Sequence, residues 1–81
     1  MPEEWEKVFK KNLIGRAEAL GDELRASDPD AGERGNLFFG MLTGPITYCP
    51  ECWVRYGRAT TLHKKRWLAS CDEHDYPMPA P

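Results

Sequence analysis

The chain has 81 residues, of which 30% are charged and 41% hydrophobic, and its net charge is −2. This composition is typical of a small globular protein and excludes both a disordered chain and one drawn strongly, as a whole, to polyanions. The longest apolar run, residues 37–42, is far too short to cross a bilayer, so no membrane partner is expected.

The N-terminal residues and the number of cysteines indicate the cellular compartment of the protein. Its first residues, Met1-Pro2-Glu3-Glu4, are acidic where a secretory signal is basic and then apolar. The cysteine count is odd, at three, which argues against a disulfide framework. We therefore expect a cytoplasmic protein, in a reducing compartment where structural disulfides are rare.

Residues 3–26 are predicted to form an amphipathic helix. Its apolar side chains recur at steps of three and four residues, and they are Trp5, Val8, Phe9, Leu13, Ala17, Leu20 and Leu24. The simplest interpretation is that this stripe belongs to the core of the chain. If the remaining residues are too few to cover it, the stripe becomes a docking surface for another protein. The docking residues would then be Trp5, Phe9, Leu13 and Leu20.

Residues 27–45 are predicted to form a loop and an apolar connector. Residues 27–36 are rich in turn-forming residues. Residues 37–42 are either a buried strand or a short helix, which periodicity cannot separate. From residue 46 onward the sequence becomes β-prone, with short strands expected at 53–56, 59–62 and 66–69 and turns at Gly57 and Lys64-Lys65.

Two short motifs, Cys49-Pro50-Glu51-Cys52 and Cys71-Asp72-Glu73-His74, share one spacing and lie eighteen residues apart. A two-residue spacing lets one tight turn direct both side chains to a single point. Two such pairs supply the four ligands of a tetrahedral zinc ion. Since four protein ligands leave no position for water, the predicted Zn²⁺ is structural. The predicted ligands are Cys49, Cys52, Cys71 and His74.

Other interpretations of the cysteines are open. In the first, the cysteines are small hydrophobic residues buried in the core. In a second, Cys49 and Cys52 form a redox pair, but that chemistry requires a helix after the pair and a β-rich segment is predicted there. In a third, thiolate and imidazole hold an iron–sulfur cluster, although mixed ligand patterns of that kind use different spacings.

With a β-rich span between the two ligand pairs, residues 46–76 resemble a zinc-ribbon or zinc-knuckle module. The resemblance implies a small zinc-stabilised fold but no particular function, because such modules contact DNA, RNA and protein alike. The whole chain is therefore predicted to be one α+β domain, residues 1–81. Its parts are an N-terminal helix (3–26), a loop and connector (27–45), a zinc ribbon with a three-stranded antiparallel sheet (46–76) and an extended proline-rich tail (77–81).

The segment between the ligand pairs mixes basic and aromatic side chains. Its candidate contact residues are Trp53, Arg55, Tyr56, Arg58, Lys64, Lys65 and Arg66. They would suit either phosphate binding and base stacking or contact with an acidic protein. The simpler interpretation of the aromatic residues is that they cover a small core.

The sequence favours a binding function over catalysis. It has no evident nucleophile–base pair, so no catalytic residue and no small-molecule substrate are predicted. The favoured function is a protein-binding adaptor, regulator or accessory subunit of a larger assembly, including a non-catalytic subunit of an enzyme complex. The alternative is a nucleic-acid-binding zinc ribbon that uses residues 53–67.

Overall fold

A computed structural model describes residues 2–44 and 46–78, with side chains from residue 6 onward. Helices come first in the chain and strands last, so the predicted α+β class and three-stranded antiparallel sheet are confirmed. The helices are α1 (Pro2–Leu24), α2 (Pro29–Leu37), a 3-10 helix (Phe38–Leu42) and α3 (Pro50–Tyr56). The strands are β1 (His63–Lys65), β2 (Leu68–Ser70) and β3 (Asp75–Pro77).

The apolar stripe of α1 forms the centre of the core. Phe9, Leu13 and Leu20 each expose 1% or less of their surface and belong to one cluster with Phe38. These three residues of the predicted docking stripe are therefore covered by the chain itself and offer no surface to a partner. The side chain of Trp5, the fourth, lies outside the described residues.

Residues 27–36, predicted to be a loop, mostly form helix α2. The Asp28 side chain caps this helix by accepting hydrogen bonds from the backbone N–H groups of Asp30 and Ala31, at 3.2 and 3.4 Å. Pro29 takes the first helical position, where its missing N–H costs nothing. Residues 38–42 of the apolar connector form the 3-10 helix that follows directly, rather than a strand.

Glycines let α1 and α2 approach each other closely. A Cβ atom built on Gly35 would lie 2.6 Å from the backbone oxygen of Ala17 and 3.1 Å from the Cα of Gly21. No real Cβ tolerates the first of these distances, so any larger residue at this position would force the helices apart. Gly35, which lies in the segment that the sequence predicts to be a loop, is needed for helix packing instead.

Residues 53–56, predicted to be a strand, lie in helix α3. Cys49 is the N-cap residue and Pro50 the first residue of the helix. Gly57 ends it with a left-handed φ of 66°, and its N–H donates to the carbonyl of Trp53 at 2.8 Å. These end signals and the complete burial of Val54 outweigh the β-propensity of the segment.

The sheet has the order β1-β2-β3. Lys65 pairs with Leu68 across a hairpin whose turn is Arg66-Trp67, so Lys64 and Lys65 lie in a strand and the turn falls two residues later than predicted. Residues 59–62 contribute an isolated bridge between Tyr48 and Thr61 rather than a strand.

Strand β3 follows the last predicted ligand instead of lying between the ligand pairs. Of the predicted tail, Pro77 ends β3 and Met78 is buried, while residues 79–81 lie outside the described residues. Across residues 2–44 and 46–78, every helix is too short or too polar to span a membrane.

Candidate metal centre

The four predicted ligands come together at the junction between helix α3 and the sheet. Cys49 and Cys52 occupy the N-cap and first turn of α3. Cys71 and His74 lie in the turn from β2 to β3, which is closed by a hydrogen bond from the Cys71 N–H to the His74 carbonyl at 2.9 Å. The first pair therefore lies at a helix start, not on the β-turn that the sequence predicts. Both placements bring two side chains to one point.

The donor atoms of this cluster lie close enough together to share one metal ion. The three Sγ atoms and the Nδ1 atom of His74 all lie within 4.8 Å of one another. The Sγ atoms of Cys52 and Cys71 are 3.8 Å apart. His74 Nδ1 lies 3.5, 3.7 and 3.4 Å from the Sγ atoms of Cys49, Cys52 and Cys71.

These separations can be compared with those around a metal ion. Tetrahedral zinc, with Zn–S bonds of about 2.3 Å and Zn–N bonds of about 2.0 Å, requires S···S distances of about 3.8 Å and S···N distances of about 3.5 Å. The separation between the Sγ atoms of Cys52 and Cys71 and the three separations from His74 Nδ1 agree with these requirements. All three cysteines are free thiols. The donor set therefore fits one metal ion bound by three thiolates and one imidazole.

The surroundings of Cys49 and Cys71 shift the pKa values of these two thiols in opposite directions. Burial raises the pKa of Cys49 to about 12. Burial also acts against ionisation at Cys71, but hydrogen bonds from the backbone N–H groups of Glu73 and His74 lower the pKa of Cys71 below the usual range of a thiol. Ionising the buried Cys49 thiol at neutral pH requires a compensating positive charge at the centre of the cluster. A divalent cation would supply that charge.

A carboxylate fixes the orientation of the histidine ligand. The Nε2 atom of His74 lies 2.8 Å from Oε2 of Glu51. This contact assigns the ring proton to Nε2 and leaves the lone pair of Nδ1 directed into the cluster. The other oxygen of Glu51 accepts hydrogen bonds from Nη2 and Nε of Arg16 in α1, at 2.8 and 3.2 Å. Glu51 thus connects the ligand turn with the long N-terminal helix.

Tyr76 of β3 supports the cluster from another side. Its hydroxyl group lies 3.5 Å from the Sγ atom of Cys49. Burial and the hydrogen bond with Cys49 raise the pKa of Tyr76, so the phenol stays protonated and can donate to a thiolate.

Glu51, Arg16 and Tyr76 are not among the site residues that the sequence predicts. Only Glu51 has a local signal, since it lies between the first two cysteines.

The predicted contact residues fall into separate groups. Trp53 is partly buried and donates its indole N–H to the backbone oxygen of Arg34 at 2.9 Å, so its ring belongs to the packing between α2 and α3. Arg55, Tyr56 and Arg58 are exposed at the end of α3, and the Arg58 guanidinium lies 6.0 Å from the centre of the Tyr56 ring. Lys64, Lys65 and Arg66 are exposed on the β1–β2 hairpin.

Comparisons with known proteins give no match, whether to a family model, a curated protein or a solved structure. No family match therefore supports the zinc-ribbon resemblance. What defines this chain is the geometry of the site itself, a closed Cys3His donor cluster built by one helix start and one β-turn.

Proposed function

We propose that the chain is a small non-catalytic module with one structural zinc ion. The observation that carries this proposal is that four separations between donor atoms, one S···S and three S···N, match the edges of a zinc tetrahedron. Four protein ligands complete the coordination of zinc and leave no position for a substrate or an activated water. An iron–sulfur cluster fits less well, because several iron atoms would hold the ligand atoms farther apart than a single ion does.

The proposed zinc has a clear structural task. Helix α3, with the first ligand pair, packs on α1 and α2, whereas the second pair lies in the turn between two strands of three residues each. Such short strands are marginal on their own. Apparent zinc-binding free energies of roughly 10–16 kcal/mol in small sites of this kind are enough to hold them in place.

Metal analysis and a ligand variant test this function. We expect the purified chain to contain one zinc per molecule, and Co²⁺ substitution to give the absorption bands of tetrahedral thiolate coordination. Cys71→Ser should lose most of the metal affinity, while Ser70→Ala, a change at the neighbouring non-ligand residue, should retain it. Absence of zinc from the wild-type chain, or an iron and sulfide content typical of a cluster, would show that the proposal is wrong.

We further propose that the module acts by binding, as an adaptor, regulator or accessory subunit in the cytoplasm. The docking stripe gives this role no support, because Phe9, Leu13 and Leu20 are buried. Support comes instead from exposed apolar side chains on and near the helices, each with between 48% and 62% of its surface exposed, namely Val8, Leu37, Phe39 and Ile46. Native mass spectrometry of the chain isolated from its source cells tests the role. A monomer without any stoichiometric companion would count against it.

A further inference from the structure

The tip of the β1–β2 hairpin carries positively charged side chains that take no part in the ion pairs of the described residues. Residues 53–70 include five lysine and arginine residues and no acidic residue. Three of the five, Lys64, Lys65 and Arg66, are consecutive and exposed at the hairpin tip. Within the described residues, the ion pairs involve other cations, so these three charges face solvent without a partner.

The backbone of the tip is strained at one of these cations. Arg66 has a φ of 45° and is the only non-glycine residue with a positive φ in the described part of the chain. In a two-residue hairpin turn, glycine or asparagine is favoured at such a position, because a Cβ atom is disfavoured there. A long charged side chain kept in an unfavourable backbone conformation indicates a use for the side chain itself.

An exposed aromatic ring lies next to the three cations. Trp67 is the second residue of the turn and exposes 55% of its surface. Lys64 and Lys65 are successive residues of one strand and therefore project from opposite faces of the hairpin. A partner that contacts both lysines must pass around the tip, which a flexible chain can do and a rigid flat surface cannot.

We propose that the hairpin tip, residues 64–67, binds single-stranded nucleic acid. Lys64, Lys65 and Arg66 would contact phosphates, and Trp67 would stack on an unpaired base. A duplex satisfies the cations but hides its base faces from Trp67. An acidic peptide also satisfies the cations but offers the indole ring no obligatory planar partner. The proposal rests on the proposed function to the extent that zinc holds β2, and with it the hairpin, in place.

Fluorescence anisotropy of a labelled oligodeoxythymidylate, titrated with the zinc-loaded full chain, tests the proposal. Binding should weaken as salt increases. Each phosphate contact contributes about 0.7 to the slope of log affinity against log salt for single strands, so Lys64→Ala/Lys65→Ala should lower the magnitude of the slope by about 1.4. The matched control, Lys7→Ala/Lys11→Ala, removes the same charge from the exposed side of α1 and should leave the slope unchanged.

Two single variants separate binding from folding. Trp67→Ala should weaken binding by about fivefold or more, as expected when one base loses its stacking partner. Arg66→Gly relieves the backbone strain, so it should raise the thermal unfolding midpoint while weakening binding. A purely structural role for Arg66 predicts no loss of affinity from a variant that folds better.

The results that would contradict the hairpin proposal can be told apart from those that would contradict the zinc proposal. A chain that contains one zinc but binds no single-stranded probe overturns the hairpin proposal and leaves the zinc proposal standing. A chain that is purified without zinc and still binds the probe overturns only the zinc proposal. Binding of labelled polyglutamate in place of the oligonucleotide, with the same loss in Lys64→Ala/Lys65→Ala, assigns the tip to an acidic protein partner. An equal loss in Lys7→Ala/Lys11→Ala reduces the contact to general charge attraction and also overturns the proposal.

Discussion

Glu51 shows how one side chain can order a metal site without being a ligand. Its two carboxylate oxygens have different partners, the ring of His74 on one side and the guanidinium of Arg16 on the other. A carboxylate that accepts the second N–H of a ligand histidine holds the ring in one orientation and makes its free nitrogen a stronger donor. The order of the site therefore depends on a residue from the middle of the first ligand motif.

Glu51→Gln tests this role. Glutamine keeps an acceptor for the ring N–H but loses the negative charge, so we expect zinc affinity to fall by about tenfold or more. Competition with a chromophoric chelator measures the affinity. Glu73→Gln makes the same chemical change at an exposed residue beside the ligands and should leave the affinity nearly unaltered. Equal affinities for Glu51→Gln and the wild-type chain would contradict the assigned role.

At the scale of single elements, the sequence predicts α1 well because a long buried stripe leaves a clear periodicity. It misses α2 and α3, although each begins with a capping residue followed by proline, at Asp28-Pro29 and Cys49-Pro50. In α2 the glycines suggested turns, whereas their actual task is contact with α1. In α3 the β-prone residues suggested a strand, whereas burial of Val54 and the two helix ends decide the conformation.

The residues of the site also differ in how far they can be predicted from local sequence. The four donors are predictable because each pair is close in sequence and its spacing directly reflects the requirements of zinc. Arg16 and Glu51 are 35 residues apart, and Cys49 and Tyr76 are 27 residues apart. Their contacts arise only from the packing of α1 and β3 around α3, and no local pattern in the sequence encodes them.

Two glycines of the helices should respond in opposite ways to alanine. Gly35→Ala places a methyl group against the Ala17 carbonyl and should destabilise the fold by roughly 1–3 kcal/mol. Gly15 is exposed in α1, and no described atom beyond its chain neighbours and the adjacent backbone of α1 lies within 4 Å of the position that an alanine methyl group would take, so Gly15→Ala should stabilise by up to about 1 kcal/mol. Urea unfolding of the metal-loaded chain measures both. A shift of the same sign in both variants would contradict the close helix contact.

For the whole molecule, the ligand cluster links two parts of different character. The helices pack chiefly on one another and the strands on one another, over a molecule 40 Å long and 23 and 19 Å across. Leu62, Ala69 and Met78 are the buried residues of the C-terminal part that join the common core. With such a small shared surface, we expect the sheet to depend on a metal ion bound by the ligand cluster, whereas the helices have their own apolar contacts.

Chelation of the metal should therefore affect the two parts unequally. After treatment with EDTA, we expect amide hydrogens of residues 63–77 to lose most of their protection from exchange, and those of α1 and α2 to keep more of theirs. Hydrogen–deuterium exchange with mass spectrometry measures this directly, and far-ultraviolet circular dichroism should retain a helical signal. Uniform loss of protection along the chain would mean that the helices depend on the metal as much as the sheet does.

If the proposed zinc ion is bound, the separate origin of the two ligand pairs would also make the stability of this protein depend on the free zinc concentration in its cell. Thiols contributed by a helix start and a distant turn meet only in the native state, so with zinc as the ion, metal capture and folding become one equilibrium. Each tenfold rise in free zinc above the dissociation constant then adds about 1.4 kcal/mol to native-state stability. The quantity of working protein would follow the availability of zinc as well as its rate of synthesis, and starvation for the metal would expose the chain to proteolysis.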